Sequence, residues 1–92
     1  MATISGQTTV AAAGTEVVLG TGLINGPLIV KALSTNTNLV YVGNVEGAVS
    51  SSTGLPLDAG ETVIFNQVGN LAEIMVDAAV NGEGVAWLAL EV

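Results

Sequence analysis

The chain has no cysteine and no histidine, and those two absences remove most of the usual catalytic chemistry. Without cysteine there is no disulfide and no thiolate metal site. Without histidine the commonest general base and the commonest zinc ligand are both gone. Basic residues are almost lacking: Lys31 stands alone against eight acids, for a net charge of −7 over 92 residues. A protein that grips nucleic acid neutralises phosphates with Lys and Arg, so no nucleic-acid partner is expected, and no anionic membrane surface. Aromatic residues are sparse, with only Tyr41, Phe65 and Trp87. The apolar runs are a few residues long, too short for a transmembrane helix. Residues 1–6 carry neither a basic segment nor an apolar core of signal type, so no secretory leader is expected. No Asn-x-Ser/Thr acceptor for a glycan occurs.

What is present points to strands. Half the residues are apolar, and twelve glycines interrupt them at short intervals. β-branched residues cut by Gly and Asn favour strands joined by tight turns. Turn signals separate seven candidate strands at about 7–12, 15–19, 28–34, 39–43, 61–66, 71–77 and 85–91. That spacing is the signature of a small sandwich or barrel. The expected fold is therefore all-β, a jelly-roll-like β-sandwich or β-barrel of about seven short strands. Residues 14–92 form its single domain, and residues 1–13 are either an N-terminal arm or an edge strand. The arm reading implies that deleting residues 2–10 costs docking and leaves the sheet intact. A chain this short buries only roughly 60–65% of its unfolded surface. With disulfides and metals excluded, oligomerisation is the remaining means of stabilisation.

One segment admits two readings. "NLAEIMVDAAVNG" (70–82) places Leu71, Ile74, Met75 and Ala78 at helical spacing, with Asn70 as cap and Glu73 completing a capping box. Glu73 and Asp77 would then repel across one turn. As a strand, Ala72, Ile74 and Val76 share one face, with Glu73, Met75 and Asp77 on the other. The closing "GVAWLALEV" (84–92) is apolar on both faces. Ala86, Leu88, Leu90 and Val92 line one, and Val85, Trp87, Ala89 and Glu91 the other. This suits a central strand, or one whose second face meets another subunit.

No motif carries catalysis. "GTGLING" (20–26) approaches a dinucleotide fingerprint but lacks the third glycine and the helix behind it. It reads instead as a hairpin corner with Asn25-Gly26 at positive φ. Asp77, Asn81 and Glu83 in "DAAVNGEG" suggest a calcium loop, but Ala79 and Leu88 occupy ligand positions of that loop. An Asn-Gly turn is the better account. The serines of "VSSST" (49–53) have no base to activate them. "STGLPLDAGETVIF" (52–65) reads as a corner: Leu55 and Leu57 pin it, Gly60 turns it, and Asp58 and Glu61 stay solvated. The expectation is a non-enzyme with no catalytic, cofactor-binding or metal-binding residue and no small-molecule substrate.

"LIVKAL" (28–33), "NLVYVGN" (38–44), "GLPLDAGETVIF" (54–65) and "GVAWLALEV" (84–92) together resemble small virion proteins of tailed bacteriophages, especially capsid decoration (cement) proteins. The resemblance covers residues 28–92. It implies a homotrimer, made in the host cytoplasm, that docks on the major capsid protein at capsomer junctions on the outer capsid surface and stabilises the head. The alternative is a tail or head-fibre module that binds a receptor or carbohydrate.

Overall fold

The computed structural model describes residues 4–44 and 48–89. Eight strands follow one another along the chain: β1 (Ile4–Thr9), β2 (Val17–Val18), β3 (Leu23–Ala32), β4 (Val40–Asn44), β5 (Leu55–Leu57), β6 (Thr62–Asn70), β7 (Ile74–Ala78) and β8 (Gly84–Ala89). They form two four-stranded sheets, ordered β1-β8-β3-β6 and β2-β7-β4-β5. Every pairing is antiparallel. Eight strands dealt between two sheets in this order make a jelly roll. The expected all-β sandwich is therefore the observed one, with eight strands in place of about seven.

The extra strand is β5. Leu55–Leu57 was expected to be part of a loop, yet it pairs with Val40, Tyr41 and Val42 of β4. Pro56 is tolerated because β5 is the sheet's outermost strand, where a missing N–H breaks no ladder. Of the two leucines expected to pin the corner, only Leu57 is buried; Leu55 is 49% exposed.

The first sheet alternates, whereas β7 of the second is buried at every position. In the first sheet Ile4, Ala89, Leu28 and Phe65 make one row across four strands, and Gly6, Trp87, Val30 and Val63 the next. These rows face Val40, Val42, Leu57, Val76 and Ala78 of the second sheet in one aliphatic core. The alternation expected for β8 holds, with Val85 and Ala89 fully buried and the strand central, between β1 and β3. Leu90, Glu91 and Val92 lie outside the described residues.

Of three further expectations, two open alternatives are decided and one is corrected. Residues 4–9 are an edge strand, not a free arm. They pair with β8 from Ile4↔Ala89 to Thr9↔Gly84, and Val10 behind them is fully buried. Second, the corner in "GTGLING" falls earlier, with Gly22 at φ +120°. Asn25 and Gly26 lie inside β3, where the register against β6 shifts on both sides of Gly26. Gly26, at φ +150°, therefore serves a bulge rather than a hairpin. Third, the strand reading of 70–82 applies to Ile74–Ala78, which follows a single 3₁₀ turn at Leu71–Glu73, and no α-helix forms there. Asn70 does cap that turn, accepting from the Ala72 N–H at 2.9 Å.

Candidate functional site

The space between the sheets is not a site. Val10, Leu19, Leu28, Val30, Val40, Val42, Leu71, Val76 and Val85 fill it, and none of them carries a proton or a lone pair to use. Thr8 and the Trp87 indole N–H spend their hydrogen bonds on each other and on the Leu19 carbonyl, and the other polar groups considered as sites lie on the outer faces and in the connecting loops.

The outer face of the second sheet is roofed. Tyr41 and Met75 point outward from β4 and β7, and Val49 packs on both, with Leu39 alongside. The roof fits because Gly43 and Gly54 leave room. A methyl group on Gly43 would sit 2.7 Å from the Val49 side chain, and one on Gly54 would sit 2.6 Å from Tyr41 Cβ. The loop 11–16 joins the roof at its other end. The Val49 N–H donates to Glu16 Oε2 at 2.6 Å. The Ala13 N–H donates to Asn81 Oδ1 at 2.7 Å, and the Gly14 N–H to Asp77 Oδ1 at 2.9 Å.

Among the described residues Asp77 is the one carboxylate taken deep into the structure, at 2% exposure. It lines an open pocket of about 350 Å³ together with Ala13, Gly14, Tyr41, Ser51 and Ala79. Oδ1 accepts from two backbone donors, Gly14 and its own neighbour Ala78 at 2.8 Å.

The residues considered for calcium do not converge. Asp77 and Asn81 each hold a backbone N–H of the 11–16 loop, and Glu83 turns away to Thr37 and Asn38. Glu83 is held below the usual carboxylate range chiefly by the Thr37 hydroxyl, with help from the Thr37 N–H. Among the described residues no cluster of three acids could hold a metal ion. The Ser50–Thr53 hydroxyls bond one another on the surface. In the corner, the Glu61 N–H closes the turn on the Asp58 carbonyl at 2.9 Å. Glu61 Oε1 accepts from the Asp58 N–H at 2.7 Å, so Glu61 is exposed but not merely solvated.

The first sheet presents the opposite kind of surface. Its four strands contain a single charged residue, Lys31, and no carboxylate. Across its outer side run Ser5, Leu88, Ile29 and Ile64 in one row, and Gln7, Ala86, Lys31 and Thr62 in the next. Ile64 is 59% exposed. Ile29, Lys31, Ala86 and Leu88 line a shallow groove of about 210 Å³. The sequence hinted at this face through the two apolar sides of β8. It gave less warning of the Asp77 pocket, whose only local signal is an acid inside the apolar run "IMVDAAV".

No protein-family model and no curated protein matches the chain. Among solved structures it is similar to an RmlC-like cupin protein from Desulfovibrio desulfuricans. The identity is 15%, the TM-score 0.53, and the match covers 95% of this chain and 69% of that one. The likeness is one of fold. It agrees with the jelly-roll strand order and carries no residue of the cupin's chemistry across.

Proposed function

We propose that this protein is a capsid decoration protein, a non-enzymatic jelly roll that docks as a homotrimer on the major capsid protein of a phage head. The carrying observation is the outer face of the first sheet. In a chain of net charge −7, four adjacent strands hold no acid and display Leu88, Ile29 and Ile64 in a row. Like charges close to a contact oppose association, so this neutral, partly apolar face is the one best suited to meet another protein. The aliphatic filling between the sheets supports a binding role over a catalytic one, because it leaves no cleft there for a substrate. The resemblance of residues 28–92 to decoration proteins supplies the partner.

A carbohydrate-binding fibre module has less support. Sugar rings are held on exposed aromatic faces, and Tyr41 is buried beneath Val49 while Trp87 packs against the core.

The test is saturation binding of purified protein to intact phage heads, followed by thermal challenge of the heads. Saturable binding at a fixed ratio to the major capsid protein, with heads surviving to higher temperature, supports the reading. Ile64→Lys with Leu88→Lys should abolish binding and leave the monomer's melting point in place. No binding, or binding untouched by the double variant, refutes it.

A further inference from the structure

The Asp77 pocket is not used by the docking face, which lies on the other sheet, and it poses an electrostatic problem. Placing a carboxylate at 2% exposure removes most of its hydration, a cost normally offset by a paired cation. This chain offers none on that side, because its single base, Lys31, sits on the outer face of the other sheet. Two backbone N–H groups satisfy Oδ1, and no donor among the described residues reaches Oδ2. The Tyr41 hydroxyl is likewise left without a partner among them. No buried polar side-chain atom in the described structure lacks a partner, so both oxygens are reached by solvent, and the pocket is where Asp77 and Tyr41 meet it.

We propose that this pocket is a socket for a cationic side chain, an arginine or lysine supplied by a protein partner. The fit is chemical at both ends. Asp77 and Tyr41 are direct cross-strand partners that both line the pocket, so the carboxylate and the phenol hydroxyl offer acceptors to a guanidinium or ammonium group, and Ser51 adds a hydroxyl-bearing residue to the lining. The lining also includes Ala13 and Ala79, whose methyl groups suit an aliphatic stem, the part of Arg and Lys that packs on apolar surface. The surrounding net charge of −7 draws cations toward the mouth. A divalent metal is a poor occupant, since no second or third acid joins Asp77. A sugar is a poor one too, because Leu39, Val49 and Met75 pack around Tyr41 and leave no ring face for stacking.

The socket names what a partner inserts. It rests on this chain being an interaction protein but not on the partner being a capsid, so a free amino-acid derivative tests it. The probe is N-acetyl-arginine methylamide, titrated into ¹⁵N-labelled protein, with the neutral citrulline analogue and methyl glucoside as comparisons. Saturable shifts of the Gly14, Ser51 and Ala78 amides, with affinity of about millimolar order, are expected for the arginine derivative alone. Asp77→Asn keeps an acceptor for the Gly14 N–H while removing the charge, and should weaken binding at least about tenfold. Ala79→Leu narrows the mouth with the carboxylate intact, and should do the same in a protein whose other amides are unmoved. Equal shifts with citrulline, shifts with the glucoside at these amides, or no saturable shift with arginine would each overturn the socket. Phage heads separate the two readings. Arginine binding without head binding leaves the socket and removes the capsid. Head binding at full strength by both Asp77→Asn and Ala79→Leu, with no arginine shift in the parent, removes the socket and leaves the docking face.

Discussion

Deleting residues 2–10 is the most informative single perturbation, because a docking arm and an edge strand answer it in opposite ways. As a strand, β1 covers one edge of β8 through six register pairs. The Thr8 hydroxyl donates to the Leu19 carbonyl and accepts from Trp87 Nε1 at 3.3 Å. Val10 is fully buried and Ile4 packs against the core. Losing the two aliphatic side chains costs about 1.5–3 kcal/mol for Val10 and less for Ile4. The ladder and the Thr8 bonds add about 1 kcal/mol net for each hydrogen bond lost. The total, on the order of 10 kcal/mol for about six ladder bonds, two Thr8 bonds and the two side chains, is comparable to the whole stability of a domain this size, about 5–14 kcal/mol at about 0.05–0.15 kcal/mol per residue. The truncated chain should therefore be unfolded or barely folded, and β8 would become a long exposed edge prone to aggregation. Far-UV circular dichroism should lose its sheet signal, and Trp87 emission should shift to the red. Val10→Ala is the graded control. Two buried methyl groups plus a small cavity cost about 2 kcal/mol, or about 8–16 °C in melting temperature for a domain this short. A truncated protein that keeps the parent's spectrum and melts cooperatively within about 10 °C of it would refute the edge-strand reasoning.

Gly84→Ala should be far more damaging than a buried Gly→Ala with open space around it. Its new methyl group would lie 2.7 Å from Thr9 Cα and inside contact distance of the Thr8 carbonyl oxygen, where only a shift of the β1 backbone gives room. A loss of about 3 kcal/mol is expected in denaturant unfolding, and a change below about 1 kcal/mol would contradict the pairing of β1 with β8. In the β5–β6 corner, Leu57→Ala should cost roughly 2–5 kcal/mol. Gly60→Val, at φ +83°, should cost about 1–2 kcal/mol, while Asp58→Asn stays within about 0.5 kcal/mol. Loss of head binding in Asp58→Asn and Glu61→Gln at an unchanged melting temperature would overturn the corner reading and make this loop a contact site. Glu83 supplies a pH test. Its carboxyl titrates lower in the folded chain than in the unfolded one, so its contribution is complete above the unfolded value and is lost as pH falls through the folded one. The melting-temperature gap between the parent and Glu83→Gln should therefore close on acidification from about pH 7 to about pH 3. A constant gap would show that the Thr37 bonds do not favour the charged form.

The fold class was legible because its signals are local. Val, Ile and Thr between Gly and Asn resist helix and suit a pleated surface, and "VAWLA", apolar at every position, suits a strand covered on both faces. The single 3₁₀ turn at Leu71–Glu73 explains why 70–82 read both ways: the cap signal of Asn70 was real, but it served one turn before Ile74 joined the ladder. The weakly patterned "ISGQTT" announced a strand only towards its end, in the candidate at 7–12, because what makes Ile4–Thr9 one lies elsewhere. Gly6 leaves an inward gap where the Trp87 ring lies, close enough that a methyl there would touch it at 2.8 Å.

By itself the sequence determined that this protein is a small, acidic, strand-rich domain without the usual nucleophile–base or metal-ligand sets, since composition and period-two patterning depend only on neighbouring residues. Tertiary structure alone decided which strands pair, where the charge is missing and where it is buried. The acid-free face exists because β1, β3, β6 and β8, scattered from residue 4 to residue 89, were dealt into one sheet. The pocket exists because Gly14 and Asp77, 63 residues apart, share a hydrogen bond. Surfaces and pockets belong to pairings across the chain, and short-range patterning cannot specify them when each strand is only two to ten residues long and fits several partners equally well.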